Sequence, residues 1–422
     1  MEKPRNIKSD YRQYIRSYIN QEKKHGFIGY WGSLRASGGA EELIDRAVSL
    51  ARETKYSEAL TIYQAIIETL VPAIQYADDS NGTIGNAINI AIEGLQTCSA
   101  SITPGEKTNF FKYLVKEAVK KQYQGWDWEF DLLRIAAELT DNDRKTRVLF
   151  DLLDKTAIRK NDKGITSDFT YENAVKLKCL VLKKRGLIPD LKTLIRNNLN
   201  FTAIREIAIQ DAIDMKELEE AKFLALRGIK LAGQKKLYGN KSTWLKFLLE
   251  IARKESNIED IRKYSRLLFI DTGDMQYYEE LRQHFSDSEW AVYLQELLKE
   301  TPAIRYPQDI HEKIYIREEN WETLLLFVQK RMDNVYYITK YHDYLVKHFP
   351  KELSEMYGLA LRKAIKDARN RNEYSRVCPL IRKMEECGFK ENVKDLVEWV
   401  RKTYSFRTAL QDELSKIVKN RY

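Results

Sequence analysis

The chain has 422 residues, 43% of them hydrophobic and 32% charged, with only 8 Pro and 18 Gly and a net charge of +9. That length exceeds one ordinary core and calls for two or three domains or, the favoured reading, a repeat array growing along one axis, and the composition with its helical periodicity describes a helix-rich protein rather than a sheet or a disordered chain. No apolar run approaches the roughly 20 residues of a membrane span, and the start MEKPRNIKSDYRQY has no apolar signal core, so the expectation is a cytoplasmic protein with no membrane contact.

In chain order, the first predicted element is a helix over about 9–21. Tyr11, Tyr14, Ile15, Tyr18 and Ile19 form its apolar stripe, with Arg12 and Arg16 off it. The following run HGFIGYWGSLRASGGAEE is punctuated by Gly26, Gly29 and Gly32, which predicts an irregular aromatic segment covering the next elements. Those are two amphipathic helices over 40–70. Leu43, Ala47, Leu50 and Ala51 line the first, and Ala59, Tyr63, Ile66, Ile67 and Leu70 line the second. The short turn 53–56 makes them antiparallel, with Ala47 and Ala59 as sites of close backbone approach, a helical hairpin of tetratricopeptide type.

Next, Asp78, Ser80 and Gly82 echo the start of a calcium loop. Asn89 stands where the bidentate Glu would be needed, so a turn capping a helix that begins near Ile84 is the better reading. Helical patterns continue to Leu153, with Trp126 and Trp128 read as core anchors of a helix start. The polar run 155–166 is read as a joint between two halves.

Beyond it the hairpin signature returns. The second helix of each pair opens on a large apolar residue followed three positions later by a smaller or aliphatic one: Tyr56 with Ala59, Leu218 with Ala221, Ile258 with Ile261, Trp321 with Leu324, Tyr374 with Val377. Their uneven spacing predicts an irregular solenoid. GQKKLYGNKS, 233–242, is read as a loop between helices and not a phosphate loop.

No catalytic or metal-binding motif stands out in the sequence pattern. The five histidines show no HExxH spacing, no GxSxG elbow occurs, and paired acids such as Glu41 with Glu42 or Glu385 with Glu386 are adjacent and do not converge on one point of a helix. Cys98, Cys179, Cys378 and Cys387 are scattered, which predicts buried reduced thiols. From Leu361 onward there are 16 Lys or Arg against 9 Asp or Glu, and the first helix is also basic.

Three runs carry a family likeness: KKHGFIGY, QYADDSNGTIG, and RNRNEYSRVCPLIRKMEECGFKENVKDLVEWVRKTYSFRTALQDELSKI. Over about 26–414 the chain resembles the helical region that follows the zinc finger in bacterial SWIM zinc-finger proteins. The resemblance implies a helical scaffold beside a CxCx(n)CxH zinc site that binds DNA or protein. The four cysteines here make no CxC and no CxH, so no functional residue carries over. Either the finger lies on a removed or separate segment, or this is a finger-less member.

The sequence therefore predicts an all-α, irregular α-α superhelix, a tetratricopeptide-like solenoid of helical hairpins. Its predicted parts are a basic helix and aromatic segment over 1–36, a hairpin half over 37–160 and a helical-repeat half over 161–422. The expected role is non-catalytic, a scaffold for an unknown protein partner with no cofactor and no metal. The alternative is nucleic-acid binding through the basic ends, using Arg12, Arg16, Arg401, Lys402 and Arg407, possible but not favoured.

Overall fold

A computed structural model describes residues 7–159, 167–234, 239–301 and 310–418. Among them every regular element is helical, and no strand forms beyond isolated bridges. The chain divides into two compact units, 1–241 and 242–422.

The first unit begins with α1 (Ile7–Glu22), α2 (Tyr30–Ala36), α3 (Gly38–Arg52), α4 (Tyr56–Ile74) and α5 (Thr83–Ser101). It continues through α6 (Pro104–Ala118), α7 (Trp128–Glu138), α8 (Asp143–Ala157), α9 (Asp168–Lys184), α10 (Ile188–Asn197), α11 (Thr202–Asp214) and α12 (Leu218–Gln234). Each helix packs chiefly on near neighbours in the chain, α4 on α3 and α5, α7 on α6, α9 on α8, and α12 on α11. α4 is the axis of this core. Twelve of its residues are buried, and α1, α3 and α5 all pack on it.

The second unit holds α13 (Gly239–Glu255), α14 (Ile258–Thr272), α15 (Met275–Gln283), α16 (Asp287–Glu300), α17 (Ile310–Arg317), α18 (Trp321–Gln329) and α19 (Val335–Leu345). It ends with α20 (Pro350–Asp367), α21 (Arg371–Val377), α22 (Ile381–Glu386), α23 (Lys390–Thr403) and α24 (Thr408–Val418). Its core from Leu324 to Val418 is built around Tyr341, Tyr357, Leu361 and Val397.

One local device recurs in both units. The turns before α4, α10, α12, α14 and α18 each place a left-handed residue two positions ahead of the helix: Thr54, Gly186, Lys216, Ser256 and Glu319, with φ between 53° and 67°. In each, the next residue's N–H reaches back five positions, as from Lys55 to the Leu50 carbonyl or from Asn320 to the Tyr315 carbonyl. The left-handed residue's own N–H reaches back three, as from Thr54 to Ala51. This is the Schellman ending of a helix, used here as the bend of a helical hairpin. The opening residues read from the sequence are the first helical residues at Tyr56, Leu218, Ile258 and Trp321, and the residue three further on is buried in every case. α21 instead begins three residues before Tyr374, capped by the Asn370 side chain.

Two expectations are corrected. The segment after α1 is not irregular throughout, because Tyr30–Ala36 is helical. Gly239–Ser242 opens α13 and is not a loop, while 235–238 lie outside the described residues. The expected joint at 155–166 falls partly outside the described residues, at 160–166; α8, which reaches into it as far as Ala157, packs on α9. The loop after α4 is a capping turn as expected. The Asp79 carboxylate accepts from the N–H groups of Ile84 and Gly85, each at 2.8 Å, which satisfies donors that a helix start leaves free. All four cysteines are buried free thiols, and burial pushes Cys179 and Cys378 up to about 12.

Candidate interaction surface

The least ordinary surface of the first unit is the outer face of α2. Phe27, Tyr30, Trp31 and Leu34 are exposed at 51, 42, 68 and 41%, while Gly32, Ser33 and Ala36 are buried. The helix is amphipathic in the inverted sense, with its small residues inward and its large apolar residues facing water. Burial of Gly32 is tight, since a Cβ there would lie 3.2 Å from Ile28 Cγ2. Ring contact between Tyr30 and Trp31 is edge-on, at 5.1 Å between centroids.

The chain holds this face in place at both ends. His25 and Gly26 both take positive φ, the geometry of a tight reversal, and Lys24 and Phe27 exchange backbone hydrogen bonds across it. Ile28 then bridges to the loop after α4: its N–H donates to Tyr76 O at 2.9 Å, and Asp78 N–H donates to Ile28 O at 2.8 Å. Asn81 Nδ2 donates to Tyr30 O at 3.0 Å and Ser33 Oγ at 2.6 Å. Arg35 grips Glu22 of α1 with two hydrogen bonds, 2.8 and 2.7 Å, and that pairing holds the Glu22 carboxyl below its usual range. Lys23 lies over the Tyr76 ring at 3.9 Å. The two early sequence runs that stand out, KKHGFIGY and QYADDSNGTIG, are thus one structure.

Of the two tryptophans read as core anchors, only Trp128 is one. Its indole N–H donates to Asn89 Oδ1 at 2.7 Å, and Trp126 stacks on its ring at 4.7 Å while remaining 40% exposed. A groove of about 770 Å³ between α10, α11 and α12 has an apolar floor of Leu191, Ile195, Ala212 and Leu224, with charges of both signs at its rim.

The cations proposed for nucleic acid fall in both units. Arg12 pairs with Glu68 of α4 at 3.0 Å beside Lys8, which reaches the same carboxylate at 2.7 Å. Arg407 donates to the carbonyls of Ile365 and Ala368 and lies over the Tyr404 ring at 4.3 Å. Both are used within the fold. Arg16, Arg401 and Lys402 are exposed, the first in one unit and the others in the second.

No protein-family profile matches the chain, and no curated protein matches it. Among solved structures, it is similar to a "circular tandem repeat protein with novel repeat topology and enhanced subunit contact surfaces", at 14% identity and a TM-score of 0.21, over 98% of this chain and 96% of that one. The fold is read from the helices themselves. No described helix is long and apolar enough to cross a membrane.

Proposed function

We propose that this protein is a non-catalytic helical-repeat scaffold that binds a protein partner through the outer face of α2. The observation carrying this reading is the inverted helix with the turn before it: Tyr30, Trp31 and Leu34 of α2 and Phe27 ahead of it are exposed on a backbone fixed from both flanks. Folding gains nothing from such exposure, whereas a partner that covers it removes apolar area from water with little ordering cost. Trp and Tyr at the centre of a patch are the residue types that dominate binding energy. Buried carboxylates Glu117 and Glu129 are paired with Lys120 and Arg159, which supports a structural role for them over a catalytic one. We also keep as a proposal the kinship to the helical region of bacterial SWIM zinc-finger proteins, supported by the three residue runs quoted above.

The test is quantitative affinity capture from the native cell, comparing the wild type with Tyr30→Ser/Trp31→Ser and with Arg401→Glu/Lys402→Glu as a control. A partner held by the wild type and the control should lose about 30-fold or more in affinity to the α2 variant, the size of one hot-spot residue. Equal capture by all three proteins would remove this face from the proposal.

A further inference from the structure

His342 is buried at 1% exposure on α19, yet its Nε2 faces outward onto Glu386 Oε2 of α22 at 3.0 Å. The carboxylate of Asp343 converges on the same point, so that one ligand atom from each of the three residues lies within 4.8 Å of the others. Two donors on one zinc ion, each at about 2.1 Å and subtending 90–109°, lie roughly 3.0–3.4 Å apart, and the imidazole–carboxylate pair has that spacing. We propose that His342, Asp343 and Glu386 form a divalent transition-metal site for an ion of zinc type, with open positions left for water.

Two features beyond the triad support this. The His342 ring is oriented from behind: Nδ1 lies 3.3 Å from the Tyr357 hydroxyl, which donates to Thr339 Oγ1 at 3.4 Å, and Thr339 in turn donates to Val335 O at 2.8 Å. In that donor order Nδ1 carries the ring proton and the Nε2 lone pair faces a carboxylate oxygen. Two acceptors then point at each other, an arrangement that a cation between them relieves. A cation is already drawn there, because Lys383 Nζ sits 3.1 Å from Asp343 and 3.0 Å from Glu386. Burial holds the imidazole below its ordinary value, with the Lys383 charge acting in the same direction. Lys383 is the competitor a metal must displace.

The opposite donor order, with Tyr357 donating to Nδ1 and Nε2–H to Glu386, would make the group a hydrogen-bond network with no call for a metal. The two readings part in equilibrium dialysis of the full chain against zinc, with bound metal quantified. Asp343→Asn/Glu386→Gln alters exposed carboxylates and leaves buried His342 in place. Lys383→Met removes the competing charge. The metal reading expects one equivalent of zinc on the wild type, affinity at least about tenfold lower in the carboxylate variant, and tighter binding in Lys383→Met. It is overturned if the wild type binds no zinc, if the carboxylate variant binds as well as the wild type, or if Lys383→Met binds no more tightly.

Discussion

Thr54, Lys216, Ser256 and Glu319 hold the hairpin bends in a backbone region that L-residues with a Cβ enter at a cost of order 1–3 kcal/mol. Gly186 does the same work without that cost. Thr54 is β-branched, the least suited of the four, so Thr54→Gly should raise stability by about 1 kcal/mol even after the greater unfolded-state entropy of glycine is allowed for. Gly186→Thr should lower it by a similar or larger amount. Chemical denaturation of the two variants checks this, and a Thr54→Gly protein less stable than the wild type would mean the bend is not the strained point. These residues also mark where sequence reading stopped. The apolar openings at Tyr56, Leu218, Ile258 and Trp321 were legible because they repeat a spacing. The left-handed residues of the bends were not, because the glycine that normally marks a Schellman ending is present in only one of the five.

At the scale of elements, the hairpin α3–α4 shows which contacts a sequence can and cannot announce. Ala47 and Ala59 are fully buried, as small residues on facing stripes require. The neighbouring contact is as tight and was invisible: Tyr63 of α4 lies on Gly94 of α5, where a Cβ would come within 2.3 Å of the ring. A contact across 31 residues has no period to betray it. α2 misled for a different reason. Its aromatic residues suggested burial, but the side packed on the fold is the one with Gly32, Ser33 and Ala36, so hydrophobicity pointed the wrong way round. Ala59→Leu should overpack the α3–α4 seam and cost on the order of 1–3 kcal/mol, while Glu58→Leu on the exposed face of the same turn should cost under about 0.5 kcal/mol. Thermal melts of the pair decide it, and equal midpoints would mean that the buried face of α4 has been misassigned.

Across the whole molecule, the charge of +9 gives a generic affinity for polyanions, against which a built site must be told apart. A basic chain attracts nucleic acid through counterion release whether or not it has a site, at roughly 10⁻⁴ to 10⁻⁶ M under physiological salt. A built site differs because its cations are free of internal partners and fixed against phosphates. Here Arg12 is paired with Glu68, and Arg407 caps carbonyls at the end of α20, so reversing either would damage the fold before it reported on binding. The variant Arg16→Glu/Arg401→Glu/Lys402→Glu alters exposed positions in both units and leaves those internal contacts in place. If the basic ends are solvated faces, labelled duplex and single-stranded oligonucleotides should bind weakly, without sequence preference, and with affinity falling steeply as salt rises. The triple variant should then lose only what its six units of charge change remove from the general attraction. Sub-micromolar binding that persists at about 0.2 M salt and disappears in the triple variant would replace the scaffold reading with a nucleic-acid one, because only positioned charges resist screening in that way.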